Sequence, residues 1–282
     1  MNYSHIILSD SLPAVVAPDW IGLVIASIPL WLCAAILTLR RLGQVRSLLI
    51  AATRLVAQIL LLGVVLEWIF ANPSPLTSIV VCLAMLIVSA LTVGSRGTSR
   101  RRSVWGLRIE AFLAITLAAL LTMTVGIRLA LRVEPWYATR TIIPLIGMVL
   151  GNSVHGVALA AERLESELKA DRDRVETRLA LGATARQAAL PALRAAVKAG
   201  LTPTINSMMI AGVVSIPGMM TGQILAGSDV APALRYQIMI YFLIVSTVCL
   251  GVLIVLRLRL RRHFTVDHRL RLEMLDDHGR SE

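Results

Sequence analysis

The sequence predicts an all-α, polytopic membrane protein with about seven transmembrane helices and a cytoplasmic coupling-helix loop. Three observations lead there. Hydrophobic residues make up 56% of the chain and charged residues only 16%, against roughly a quarter charged in a soluble domain. Apolar runs recur at the ~20 residues a helix needs to cross a bilayer at ~1.5 Å rise per residue. The arginines, which dominate a net charge of +11, gather in short loops beside those runs, as the positive-inside rule describes. In a soluble chain such a charge would point to nucleic acid. Here no aromatic residues interleave with the basic ones, so the expected partner is the lipid bilayer and no nucleic acid.

The first span covers 20–39, is free of charge, and is closed by Arg40, Arg41 and Arg46. The second covers 48–70 and carries Arg54 and Gln58 one turn apart, with Arg54 close enough to one end to snorkel to the headgroups. Asn72, Pro73 and Pro75 make a tight turn into the third, 76–93. A basic loop follows, with Arg96, Arg100, Arg101, Arg102 and Arg108. The fourth span, 109–131, opens near Glu110 and closes near Arg128. Glu67 and Glu110 both lie at span ends and are not expected to be buried carboxylates. The fifth span is 142–161, the sixth 199–225, the seventh 236–256, and a charged tail covers 257–282. Arginine counts in the short loops put the amino terminus outside and the tail in the cytoplasm, in the plasma membrane (the inner membrane of a bacterium). The segment before Trp20 has no basic start, so no cleaved signal peptide is expected. No repeat or Ser/Gly linker divides the chain, which favours one transmembrane domain over 1–282. Cys33, Cys82 and Cys249 sit inside apolar runs without CxxC spacing, as small membrane-buried side chains rather than a disulfide or zinc framework.

The polar segment 162–198 interrupts this pattern. Leu164, Leu168, Val175 and Leu179 recur at helical spacing, giving one apolar stripe on an otherwise charged helix. Gly182 can end that helix in a left-handed conformation, and Thr184 can cap the next one. Two short helices joined at Gly182 would form a projecting knuckle. Its charges of both signs favour a protein partner over a membrane surface.

Two spans hold unusual residues. In the fifth, Gly147 and Gly151 make a GxxxG step for close helix packing, with His155 one turn further on and Asn152 on a neighbouring stripe. Polar groups at this depth line a pathway or form interhelical hydrogen bonds, and both readings stand. In the sixth, Pro203 and Pro217 each remove a backbone donor and Pro217–Gly218 predicts a kinked or interrupted helix, whose freed backbone groups could line a cavity. Asn206, Met208, Ser215, Pro217, Met219 and Met220 are candidate pathway residues with Asn152 and His155. The methionines suit a soft metal or simply fill the core. Metal ligands are otherwise unspecified.

There is no GxxxxGK[ST] loop, HExxH or GxSxG, so no catalytic residue is assigned and any energy source must lie elsewhere. The segment ETRLALGATARQA (176–188) resembles the coupling loop of ABC transporter permeases, in which a Glu precedes a Gly by six positions, as Glu176 precedes Gly182. With GMVLGNS (147–153), LGAT (181–184), SIPGMMTGQILAG (215–227) and YQIM (236–239), the chain resembles the FetB family of iron-export-type ABC permeases over about 54–262. That family is similar to plant permeases of aluminium tolerance. The resemblance implies a homodimeric permease that exports a metal ion, iron, and is driven by a separate ATP-binding subunit. Glu176, Leu181, Gly182, Ala183 and Thr184 would then meet that subunit, which would hold ATP-Mg, leaving this chain without a cofactor. One departure separates it from importer loops: Leu190–Pro191 comes about four residues early. The alternatives are a gradient-driven secondary transporter, which should carry a mid-membrane carboxylate, and a non-transporting membrane sensor or scaffold.

Overall fold

Helix is the regular structure throughout residues 18–93, 101–265, 267 and 269–271, which the computed structural model describes. Among these residues β-structure is confined to two isolated bridges, Ala211 with Ser215 and Phe264 with Leu270. The amino-terminal segment 1–17, Arg96, Ser99, Arg100 and the tail from 272 lie outside the described residues.

The helices are α1 (Trp20–Leu39), α2 (Val45–Ala71), α3 (Pro75–Val93), α4 (Arg101–Thr124), α5 (Thr139–Ala170), α6 (Arg172–Ala180), α7 (Ala185–Ala188), α8 (Leu190–Ile210), α9 (Gly218–Leu225) and α10 (Val230–His263). α4 runs on into a π-helical turn, Val125–Ala130. Six of these helices, α1 to α5 and α10, are long and apolar enough to cross a membrane. The chain is an all-α, multi-pass membrane protein.

Several helices outrun the apolar segments that announce them. α5 does not stop at 161 but continues unbroken to Ala170, so the first part of the polar segment belongs to the spanning helix. Glu, Arg, Leu and Ala are good helix formers, and a change from apolar to charged residues is no stop signal. α4 likewise begins at Arg101 rather than 109, and α10 carries the first seven residues of the expected tail. The sixth expected span, 199–225, is not one helix. Its helix starts early, at Leu190, passes Pro203 without a break and ends at Ile210. A turn then follows in which the Ile210 carbonyl accepts the amides of Val214 at 2.9 Å and Ser215 at 3.2 Å, with Gly212 at φ 79°.

The chain divides into two compact units. One comprises residues up to Asn72 together with Gly222–Asp229. In it α1 and α2 form a hairpin whose side chains are nearly all exposed, Ala34 and Ile69 being the buried ones. Apolar side chains left exposed along two whole helices suit lipid. The other unit comprises 73–221 and 230–282. Its core is the seam of α4, α5, α8 and α10, with Ala111, Ile115, Leu145, Val157, Ala196, Val248 and Val252 at most 1% exposed. Midway along this seam the Thr122 and Thr247 hydroxyls pair at 2.6 Å, an interhelical hydrogen bond between α4 and α10.

Candidate functional site

The knuckle is built from local signals. Asp171 closes α5 and α6 begins at once. α6 ends in paired backbone bonds, the Gly182 amide to the Leu179 carbonyl and the Ala183 amide to the Arg178 carbonyl, both 3.0 Å. This is the Schellman arrangement, and it needs the left-handed residue that Gly182 supplies at φ 88°. Two residues later Thr184 and Gln187 form a capping box that starts α7. The Arg178 guanidinium donates to the Ala188 carbonyl at 3.2 Å, bracing the two short helices against each other.

One face of this knuckle is buried and the other is presented. Leu164 and Leu168 of α5, Val175 of α6 and Ala185 and Ala188 of α7 lie in the core, with Leu179 packed against it. Leu181 at the tip is 83% exposed, and Gly182 and Thr184 are exposed beside it. Glu176 is half-buried and accepts from Arg172 Nε at 3.1 Å, one turn away. The tip thus presents a large apolar side chain in the open at a braced bend.

Beneath the knuckle lies an ionic cluster that the sequence did not announce. Arg259 of α10, only 1% exposed, places Nη2 at 2.5 Å from Glu165 of α5 and Nη1 at 3.5 Å from Glu110 of α4. Arg262 adds a contact to Glu110 at 3.3 Å. Glu110 is therefore a buried carboxylate after all: its partners approach from 149 and 152 residues away in the chain, which span-end position alone cannot reveal. Arg259 could have been found by periodicity. It continues the buried stripe of Val248, Val252 and Val255 at spacings of four, three and four, followed by His263.

The candidate pathway residues are placed less tightly. Asn152 and His155 lie on an exposed face of α5, and the Asn152 amide donates to the Met148 carbonyl at 2.8 Å. Asn206 is exposed on α8, and Met208 is half-buried nearby on the same helix. Ser215 and Pro217 occupy the turn, while Met219 and Met220 are half-buried in α9. Among the described residues no three His, Cys, Asp or Glu side chains gather at one point.

The GxxxG step is not where helices meet most closely within the chain. A Cβ at Gly147 would lie 3.1 Å from the flexible end of Met85, and one at Gly151 would meet open space. The close approach is one turn further on. A Cβ at Gly200 of α8 would fall 2.8 Å from the Gly156 carbonyl and 2.9 Å from Ala160 Cβ of α5. The small residues that matter for α5–α8 packing are Gly156, Ala160, Ala196 and Gly200.

Comparison with known proteins gives a consistent result. The sequence model of Uncharacterised protein family (UPF0014) matches residues 20–264. The UPF0014 membrane protein slr1647 of Synechocystis is 37% identical, over 84% of this chain and 90% of its own. The Probable iron export permease protein FetB of Escherichia coli is 32% identical, over 82% of this chain and 86% of its own. Protein ALUMINUM SENSITIVE 3 of Arabidopsis thaliana is 32% identical, over 71% of each chain. No solved structure matches.

Proposed function

The chain belongs to the UPF0014 family, and from that premise we propose that it is the membrane-spanning permease subunit of an ABC transporter that exports a metal ion, iron. The observation that carries this reading is the knuckle: a braced bend with Leu181 83% exposed at its tip, fastened to the transmembrane core by its buried stripe. The choice of iron follows the Escherichia coli relative, the Probable iron export permease protein FetB.

In this reading two copies of the chain pair in the inner membrane, amino termini outside and tails cytoplasmic. Two separate ATP-binding subunits dock on Glu176, Leu181, Gly182, Ala183 and Thr184, and they hold the ATP-Mg. The exposed face of α5 with Asn152 and His155, together with Asn206, Met208, Ser215, Pro217, Met219 and Met220, lines the route. Closure of the ATP-binding subunits shifts the permease only through contacts that differ between its two states.

The test is reconstitution in lipid vesicles with the co-purifying ATP-binding protein. Ferrous iron is expected to stimulate ATP hydrolysis and to move in the direction equivalent to export. Gly182→Ile, which puts a β-branched residue at φ 88°, costs about 1–3 kcal/mol of local strain and is expected to abolish stimulation while insertion persists. Unchanged stimulation in that variant would refute the knuckle. Iron flux driven by an imposed ion gradient without ATP would make the chain a secondary transporter, and absence of any flux would make it a sensor or scaffold.

A further inference from the structure

We propose that a cleft between α3, α4 and α5 is a binding site for one anionic phospholipid, which places an acyl chain in the cleft and its phosphate on Arg128. The cleft has a volume of about 510 Å³, within the ~300–1,000 Å³ of sites that enclose small ligands. Its floor is apolar and fully buried: Ala119, Met123, Ile142 and Leu150 are 2–7% exposed. Its rim is apolar and open, with Ile79 52% and Leu120 59% exposed. A largely apolar groove open to the side of a membrane helix bundle faces hydrocarbon, and an acyl chain suits it.

The one charged and the one aromatic side chain of the lining stand together at one end. Along α4 the cleft extends from Thr116 to Arg128, twelve residues or about 18 Å of helix axis. Half of a ~30 Å hydrocarbon core is ~15 Å, so the cleft matches the acyl depth of a single leaflet. At the far end stand Arg128 and Trp136, a cation and an aromatic ring of the kind that settles at headgroup level. Arg128 lies eighteen residues beyond Glu110, so this end is opposite the ionic cluster and the knuckle.

Two features make this more than a snorkelling arginine. Arg128 sits on the π-helical turn Val125–Ala130, a local departure from the α-helix that often marks a functional position. Arg128 also has no hydrogen-bond or ion-pair partner among the described residues, whereas Arg259 and Arg262 of α10 are both paired with carboxylates. An uncompensated guanidinium at the mouth of an apolar groove is complementary to an amphiphile with an anionic head, and planar guanidinium binds phosphate in two-pronged fashion.

Native mass spectrometry of the purified full chain, released from micelles containing equal phosphatidylglycerol and phosphatidylethanolamine, tests this. One phospholipid per chain is expected, with phosphatidylglycerol favoured by about tenfold, the scale of a single charge-assisted contact. Arg128→Gln should equalise the two lipids, Arg128→Lys should keep most of the preference, and Cys82→Trp, which fills the cleft wall, should remove the bound lipid. Arg132→Gln, a neighbouring arginine that does not line the cleft, should change nothing. Equal retention of both lipids by the natural chain overturns the proposal. So does a preference that survives Arg128→Gln, or one lost equally in Arg132→Gln.

Discussion

Replacing Arg259 by Met tests the ionic cluster most directly. The guanidinium is 1% exposed and faces the Glu165 carboxylate at 2.5 Å and that of Glu110 at 3.5 Å, whose side chains are 15% and 12% exposed. At an effective dielectric of about 20, charges 3.5 Å apart attract by about 5 kcal/mol, most of which is offset by the cost of taking both ions out of water. Removing one partner leaves that cost standing, and the usual loss is about 3–5 kcal/mol. Glu110 keeps Arg262 at 3.3 Å, and Glu165 loses the guanidinium held 2.5 Å from it. At ~2–4 °C per kcal/mol, the melting temperature of the purified protein should fall by roughly 6–20 °C. The decisive comparison adds Glu165→Gln. If the pair is one unit, the double variant should be more stable than the sum of the single losses by about 1–3 kcal/mol, because the neutral amide no longer needs the cation. Additivity to within about 0.5 kcal/mol would refute a coupled buried pair.

Two further predictions concern packing and orientation. Gly200→Leu forces a side chain against the Gly156 carbonyl and Ala160, and should cost about 1–3 kcal/mol, read as a fall in melting temperature. Gly151→Leu, which meets open space, should leave single-chain stability unchanged; the reverse order would overturn the assignment of the α5–α8 contact. Cysteine introduced at Ser74, in the turn between α2 and α3, should react with an impermeant reagent from outside, and one at Ser99 only from inside. The opposite pattern would invert the proposed orientation.

The sequence exposed those features that depend on neighbours along the chain. Runs of apolar residues marked α1 and α3 to within a residue, and Gly182 with Thr184 marked the knuckle, because caps and stops are settled over four or five positions. Features settled by distant contacts were hidden. Pro217–Gly218 did mark an interruption, which runs from Ala211 to Pro217; only its start was unreadable, because α8 stops at Ile210, where the turn closes on the Ile210 carbonyl with Gly212 at φ 79°. Pro203 removes a backbone donor, yet α8 continues past it. GxxxG at Gly147–Gly151 names a packing motif, but which glycines touch is decided by the register of α8 on α5, and that brings Gly156 to Gly200. Glu110 reads as a headgroup-level acid until α10 delivers two arginines to it.

The same contacts dictate how a load on the knuckle would spread. α5 is one helix of 32 residues, about 48 Å long, and carries the knuckle at its end without an intervening joint. α8 leaves the knuckle and is held to α5 backbone against backbone at Gly156 and Gly200, with no flexible side chain between them to absorb a shift. α5 is in turn tied to α10 by Arg259 and Glu165 through charges that cannot separate cheaply. A displacement at Leu181 is therefore shared by α5, α8 and α10, which must move together or not at all. Compliance begins where α8 ends. From Ala211 to Pro217 the backbone leaves the helix, and Val213 at 87% and Val214 at 79% exposure have no packing to lose. That turn is the least packed stretch between the end of α8 and Met219, which itself packs against the core, so bending within the turn is the cheapest response to a push from the knuckle.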